Sequence, residues 1–95
     1  MSSGKRRVVI TGMGAVTPLG HTVDSMFHAQ LEGRSGVGPI TRFDARNFPT
    51  TFAAEVKEFE LGSWLKDCTR WKNCGVNSQF AAAAAQQALD HSGLL

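Results

Sequence analysis

The side chains of this sequence most able to act as nucleophiles, general bases or metal ligands are its thiols and imidazoles. They are two cysteines and three histidines: Cys68, Cys74, His21, His28 and His91. The C-x5-C pair is a weak zinc motif, because structural zinc sites use four ligands at recognisable spacing. Two cysteines also make no disulfide framework. The sequence therefore predicts free thiols in a reducing, cytoplasmic compartment and no metal site.

The second candidate for chemistry is the glycine-rich segment 8–20, Val-Val-Ile-Thr-Gly-Met-Gly-Ala-Val-Thr-Pro-Leu-Gly. A strand, a glycine turn and a helix can together cradle a phosphate. The dinucleotide fingerprint, however, needs G-x-G-x-x-G opening directly into a helix, and this segment reads G-x-G-x-x-x-P-x-G. No Gly-Lys-Ser/Thr follows, so a P-loop is not indicated either. The glycines favour a backbone that turns tightly and packs against its neighbours, with a nucleotide-binding α/β domain as an alternative.

The elements that must position these residues are strands and helices in an α/β order. Patterning predicts strands at 6–11 and 52–59, helices at 22–32 and 77–91, a helical turn at 61–66 and a long loop at 33–51. Thr22 is predicted to cap the first helix, and Gly33 and Gly93 are predicted to close the two helices. Phe43 and Phe48 are expected to anchor the long loop to a core.

Each predicted helix has an apolar side. On the first helix an apolar stripe falls at i, i+3, i+4 and i+8: Val23, Met26, Phe27 and Leu31. His28 lies off this stripe and is expected to be solvated. The second helix has one face of Gln79, Ala83, Gln86, Gln87 and Asp90, and another of Phe80, Ala81, Ala84, Ala85, Ala88 and Leu89. The alanine face is expected to let a partner element approach closely.

Charge and hydropathy argue against several classes of protein. The net charge is +2, and the basic run at 5–7 is too short for a nucleic-acid patch, so we interpret it as a solvated tail. No stretch approaches the ~18 consecutive apolar residues of a membrane helix. Residues 8–19 follow a basic run as a signal peptide would, but glycines and Pro18 interrupt them and no Ala-x-Ala cleavage site follows promptly. We therefore expect neither a nucleic-acid nor a membrane partner.

Segment 7–20 also resembles the N-terminal signature of the β-ketoacyl synthases of fatty-acid and polyketide synthesis. The likeness continues through 27–40, 43–44, 52–59 and 79–94, and is greatest to the synthase II type of β-ketoacyl-[acyl-carrier-protein] synthase. The resemblance implies an α/β chain with a partial thiolase-like fold, in which helices flank a mixed sheet. It further implies a homodimeric acyltransferase without a cofactor.

The implied reaction is a decarboxylative Claisen condensation of acyl and malonyl thioesters. In the family a cysteine in a Thr-Ala-Cys-x-Ser setting takes the acyl chain, and two histidines assist decarboxylation. Cys68 stands in Asp-Cys-Thr and Cys74 in Asn-Cys-Gly, so neither matches, and no catalytic residue is assigned to this chain. Residues 1–95 are therefore expected to be an N-terminal segment that ends before the catalytic cysteine and is inactive alone. A small non-enzymatic interaction module is the alternative.

One binding surface is predicted, just before the alanine-rich helix, from Lys66, Arg70 and Lys72. Acyl carrier proteins are acidic, and in the resembled family basic residues near this point face the carrier. The alternative is an ordinary solvated charge cluster, since Glu60 and Asp67 lie close by. The run 70–76 departs from the family's usual charge pattern, so its residues do not align one for one with those of the family.

Overall fold

The computed structural model describes residues 4–94, and its elements follow one another in an α/β order. Helix α1 spans Val23–Leu31, strands β1 and β2 span Val37–Pro39 and Phe52–Ala54, and helix α2 spans Val76–Ser92. Two 3-10 turns, Leu61–Ser63 and Thr69–Trp71, lie between β2 and α2. Helices thus flank a small sheet, as expected for part of a larger α/β fold.

The strand predicted at 6–11 is wrong. Residues 5–16 form neither helix nor strand, and Val8, Val9 and Ile10 are 91%, 71% and 82% exposed. A β-branched run becomes a strand only where a neighbouring backbone completes its hydrogen bonds. No segment between residues 4 and 94 provides that neighbour.

Helix α1 begins directly after Thr22, the residue predicted to cap it. The Thr22 hydroxyl accepts a hydrogen bond from the Ser25 N–H at 3.0 Å, and the Ser25 hydroxyl accepts one from the Thr22 N–H at 3.1 Å. This reciprocal pair satisfies two N–H groups that the first helical turn leaves open. Gly33 follows the helix with a φ of +73°, in the left-handed region that its lack of a Cβ permits.

The apolar stripe of α1 is only partly covered. Ala29 is buried, while Phe27 and Leu31 are 55% and 68% exposed. His28 is exposed, as predicted. The apolar stripe is therefore uncovered at Phe27 and Leu31, because no described segment packs over that part of the helix.

The small sheet is an antiparallel hairpin whose first strand falls inside the predicted loop. Val37 pairs with Ala54, Gly38 with Ala53 and Pro39 with Phe52. Proline has no N–H to donate, but it is tolerated on an edge strand, and both strands of a two-stranded sheet are edges. The strand predicted at 52–59 is wrong beyond Ala54.

The aromatic anchors predicted for the long loop do not reach a core. Phe43 and Phe48 pack edge-on against each other with ring centroids 5.6 Å apart, and both stay more than half exposed. The buried residue between them is Ala45. That prediction is therefore wrong: the two rings form a local pair.

The carboxylate of Glu55 joins the segments that follow the two strands of the hairpin. Glu55 accepts hydrogen bonds from the Thr41 hydroxyl at 2.8 Å, the Thr41 N–H at 3.2 Å and the Arg42 N–H at 3.3 Å. These bonds, the one to the Thr41 hydroxyl foremost, lower the pKa of Glu55 from its usual value. The ionised form of Glu55 therefore stabilises the hairpin.

We call these three hydrogen bonds of Glu55 the clamp, and we expect it to be lost in acid. Because the folded pKa of Glu55 is depressed, its contribution is present above the ordinary glutamate range near pH 4.5 and disappears as pH falls through the lower, folded value. The melting temperature of Glu55→Gln should lie below that of the parent full-length protein at pH 7, and the gap should shrink as pH falls below about 4.5. Glu60→Gln is the control, since Glu60 makes no capping hydrogen bond. A gap that persists at low pH would contradict the clamp.

Helix α2 is the longest element and matches its prediction closely. It ends at Ser92, and Gly93 follows with a φ of +68°. The buried side chains of residues 4–94 are small: Ala29, Ala45 and Ala83. Polar contacts made by α2 therefore join several of the other segments to this helix.

Candidate functional site

A single row of side chains on α2, at i, i+4 spacing, organises the site. Gln79, Ala83, Gln87 and His91 form this row, and Ala83 is fully buried. Gln79, Ala83 and Gln87 belong to the face opposite the predicted alanine face. Ala81 and Ala85 of that alanine face are exposed, so its prediction as the packing face is wrong in part. The amide side chains lie inward because they satisfy backbone groups that apolar side chains could not.

The glycine loop, residues 12–20, is held to α2 by two members of this row. The Ala15 N–H donates to Gln87 Oε1 at 3.2 Å, and Gln87 Nε2 donates to the His21 carbonyl at 2.6 Å. The Met13 N–H donates to His91 Nδ1 at 3.1 Å. Gln87 therefore fixes the loop at Ala15 and, through His21, just after its last residue.

The glycines of this loop allow a close approach of two backbones. A Cβ atom on Gly12 would overlap the carbonyl oxygen of Ala88, and one on Gly14 would overlap that of Ala84. This confirms the prediction that the glycines pack against a neighbouring element. The amides of Met13 and Ala15 already donate to α2, which argues against their use in a phosphate cradle.

An aromatic cluster continues the contact between the loop and α2. Phe59 lies between His21 and Phe80, with ring centroids 5.8 Å and 4.9 Å away and both rings edge-on. Edge-on aromatic pairs contribute roughly 0.5–1.5 kcal/mol beyond the area that they bury. The segment after β2 is thereby tied to the same helix.

The predicted basic residues lie on the segment that leads into α2. Lys66, Arg70 and Lys72 are all exposed. Arg70 lies on the second 3-10 turn, Lys72 follows that turn directly, and Lys66 lies on the preceding loop. We call residues 66–72 the basic segment.

Helix α2 holds the basic segment through Gln79. Its Nε2 donates to the carbonyls of Trp71 at 3.3 Å and Cys74 at 3.1 Å. An open cleft of about 360 Å³ lies between the first 3-10 turn and this segment, and Lys72 and Cys68 are among the residues that line it. The cations are thus carried on a backbone that is anchored to the longest helix.

The cations of the basic segment have no acidic partner within the described residues. The ion pairs of residues 4–94 are Arg34–Glu32 and Arg46–Asp44, each at 2.8 Å. Asp67 instead accepts the Thr69 hydroxyl at 2.6 Å and the Thr69 N–H at 3.2 Å. The hydroxyl bond holds the pKa of Asp67 below its usual value. The segment keeps three positive charges against one negative charge at neutral pH.

The family follows from a match over nearly the whole sequence. Residues 5–95 match the family model of the β-ketoacyl synthase N-terminal domain. The chain belongs to the β-ketoacyl synthase family. This confirms the resemblance drawn from segment 7–20 and its continuation.

Relatives from bacteria and a plant agree with this family assignment of the chain. It is 53% identical over 90 residues to the 3-oxoacyl-[acyl-carrier-protein] synthase 2 of Coxiella burnetii, covering 95% of this chain and 22% of the relative. The corresponding synthase 2 of Synechocystis is 43% identical over 91 residues, covering 96% and 22%. The chloroplastic synthase I of Hordeum vulgare is 39% identical over 92 residues, covering 95% and 19%. The chain therefore spans only about a fifth of the length of these relatives.

A solved structure supports the fold of this chain. The ishigamide ketosynthase/chain length factor is 37% identical and superposes with a TM-score of 0.77, covering 97% of this chain and 23% of that one. The partial thiolase-like fold expected from the resemblance is thereby confirmed.

Both thiols are free, as predicted, with Cys68 half-buried and Cys74 exposed. Between residues 4 and 94 neither thiol hydrogen bonds to a histidine; Cys74 Sγ lies 3.9 Å from the Arg70 carbonyl. The same residues contain no group of three or more His, Cys, Asp or Glu side chains placed to hold a metal ion. No helix in that range is long and apolar enough to cross a membrane.

The positioning residues Gln79, Gln87 and His91 were not predicted. The available signal was their common i, i+4 spacing with Ala83, which places two amides and an imidazole along one ridge of an alanine-rich helix. Polar side chains at that spacing can bind backbone groups of a neighbouring segment. Hydrophobic patterning instead predicts that such polar side chains lie on the solvent-exposed face of the helix.

Proposed function

We propose that this chain is the N-terminal segment of a 3-oxoacyl-[acyl-carrier-protein] synthase. The reaction is the decarboxylative Claisen condensation of acyl and malonyl thioesters in fatty-acid biosynthesis, catalysed by a cytoplasmic homodimer. The match of residues 5–95 to the synthase N-terminal domain is the observation that carries the proposal. Identity of 53% over 90 residues to a synthase of Coxiella burnetii supports the same activity.

The described residues supply a scaffold and a docking surface for this reaction. Condensation needs a thiolate nucleophile beside an activating base, and an oxyanion held by fixed donors. Cys68 and Cys74 have no hydrogen bond to a histidine within residues 4–94, and their sequence settings differ from that of the family's nucleophile. The catalytic cysteine and both histidines are therefore assigned to the rest of the synthase.

The docking surface is the basic segment, and its partner is acyl carrier protein. Lys66, Arg70 and Lys72 are exposed, and neither ion pair of residues 4–94 involves them. Gln79 holds their backbone to α2, which reduces the conformational entropy lost when a partner binds. An acidic carrier would be steered to such a surface by long-range attraction, and salt would weaken that attraction.

Charge reversal at Arg70 tests this surface. In the full-length enzyme, Arg70→Glu should lower kcat/KM for carrier-bound acyl groups by about tenfold at low salt, since steering effects span roughly 10- to 1,000-fold. The kcat/KM for a small acyl thioester, which needs no carrier, should stay unchanged. Steady-state kinetics with both substrates at two salt concentrations measure the difference.

The control is Arg34→Glu, which reverses an exposed arginine outside the basic segment. The Arg34→Glu variant should have the same kcat/KM as the parent enzyme for both substrates. Equal losses on the two substrates for Arg70→Glu would instead indicate damage to the fold. An absence of turnover by the parent enzyme on either substrate would overturn the proposed activity itself.

A further inference from the structure

Several oxygen atoms of the basic segment are occupied by uncharged donors. Both bonds from Thr69 to Asp67, from its hydroxyl at 2.6 Å and its N–H at 3.2 Å, end on Oδ1 of the one carboxylate in this segment. The carbonyls of Cys68 and Thr69 accept the backbone N–H groups of Trp71 and Lys72, at 3.0 and 3.3 Å. None of these donors is a cationic side chain, so these bonds leave the three positive charges of the segment unused.

Gln79 completes this arrangement from helix α2. The turn 71–74 is closed by the Cys74 N–H, which donates to the Trp71 carbonyl at 3.0 Å. Gln79 Nε2 donates to the carbonyls at both ends of that turn, Trp71 at 3.3 Å and Cys74 at 3.1 Å. Lys72 lies within the turn and lines the same open cleft as Gln79. A carboxamide binds both carbonyls without bringing a charge that would compete for the Lys72 ammonium group.

An acceptor released within the basic segment would compete with an acidic partner. Asp67 directly follows Lys66 in sequence and precedes Arg70 by three residues. The Thr69 hydroxyl holds the pKa of Asp67 below its usual value, so this carboxylate is ionised at neutral pH. Without Thr69 it would be free to pair with either cation, and that pair would have to break before a partner could bind. An exposed ion pair changes an equilibrium constant by up to about fivefold.

We propose that Thr69 and Gln79 are positioning residues for carrier binding. Their uncharged donors occupy oxygen atoms of the basic segment and of the turn 71–74, which leaves the three cations of the segment to an acidic partner. This inference rests on the proposed docking of acyl carrier protein at the same segment. It adds two residues that carry no charge and yet set the affinity for the carrier. Neither touches the reacting atoms, so their effect falls on the KM for carrier-bound substrate and not on kcat.

A double-mutant cycle in the full-length enzyme tests the role of Thr69. Thr69→Val keeps the shape of the side chain but removes its hydroxyl, and it should raise the KM for a carrier-bound acyl group about three- to fivefold at low salt. In an Asp67→Asn background the same change should alter the KM by less than about twofold, because no carboxylate is left to release. Thr69→Ser retains the hydroxyl and should keep the parent KM. Thr51→Val, at an exposed threonine just before β2, is the matched control.

Gln79→Met tests the contribution of helix α2. Methionine is similar in length but has no donor, so the carbonyls of Trp71 and Cys74 are left open to the Lys72 ammonium group. The KM for carrier-bound substrate should rise about two- to tenfold, the range that the loss of one hydrogen bond predicts, at constant kcat. Gln86→Met makes the same change on the same helix, where the amide donates to Asp90, and should leave the KM as in the parent enzyme.

The same assays distinguish this inference from the proposed function. An Arg70→Glu variant with the parent KM for carrier-bound substrate would overturn the docking surface itself. If Arg70→Glu raises that KM while Thr69→Val does not, or if Thr69→Val raises it equally in the Asp67→Asn background, the docking surface stands and the positioning role is refuted. Losses of equal size on a small acyl thioester would assign the effect to the fold and refute it as well. Thr69 is exposed, so its cycle decides the matter even where Gln79→Met fails to fold.

Discussion

Replacement of Gly14 by alanine should destabilise the full-length protein by roughly 3 kcal/mol, at the upper end of the range for overpacking. The added methyl group would overlap the carbonyl oxygen of Ala84 and lie 2.8 Å from the Cβ of Gln87. A carbonyl inside a helix cannot move without breaking the hydrogen bond that it accepts. The glycine loop would have to withdraw from α2, and its bonds to Gln87 and His91 would lengthen. Urea unfolding, followed by the change in midpoint at constant slope, measures the loss.

Gly38→Ala is the matched control for this substitution. Gly38 lies in β1, and a Cβ atom there would meet nothing within 4 Å. Its replacement should therefore be neutral or slightly stabilising, because alanine loses less conformational entropy on folding. If the two variants unfolded at the same urea concentration, the close packing of the loop on α2 would be refuted.

The elements that the sequence predicts best are those fixed by local chemistry. Thr22 caps α1 through Ser25, three residues away, and Gly93 closes α2, so both signals lie within one turn of the boundary that they set. The 6–11 strand failed for the opposite reason. Strand formation there depends on a partner distant in sequence, and residues 4–94 do not provide one. The pairing of Gly38 with Ala53 was missed in the same way.

The candidate site was predictable in its exposed charges. Lys66, Arg70 and Lys72 are exposed, as a charged cluster in a loop should be. The contacts that hold the site together were not predictable, because they join side chains to backbone groups 66 to 78 residues away. Hydrophobic periodicity carries no information about such bonds. It placed Gln87 on the face opposite the alanine-rich one, whereas Gln87 binds the glycine loop at Ala15 and the carbonyl of His21 that follows the loop.

Truncation of Gln87 to alanine should destabilise the full-length protein by about 2–6 kcal/mol. The Ala15 N–H and the His21 carbonyl would both lose their partner, and each partly buried group left unsatisfied costs roughly 1–3 kcal/mol. Gln86→Ala is the control, since Gln86 hydrogen bonds Asp90 within the same helix, at 3.0 Å. Its loss should stay within about 0.5 kcal/mol, as for most surface substitutions. Equal unfolding midpoints for the two variants would contradict a special role of Gln87.

Gln87→Glu separates the two bonds. The carboxylate can still accept from the Ala15 N–H, but it has no proton to donate to the His21 carbonyl, and its charge would repel that oxygen. At pH 7 the variant should therefore lose stability through the His21 contact alone. Protonation of the new carboxyl group in acid restores a donor, so the deficit relative to the parent protein should shrink as pH falls toward 4. If the variant were as stable as the parent protein at every pH, the bond to His21 would contribute nothing, and Gln87 would act only through Ala15.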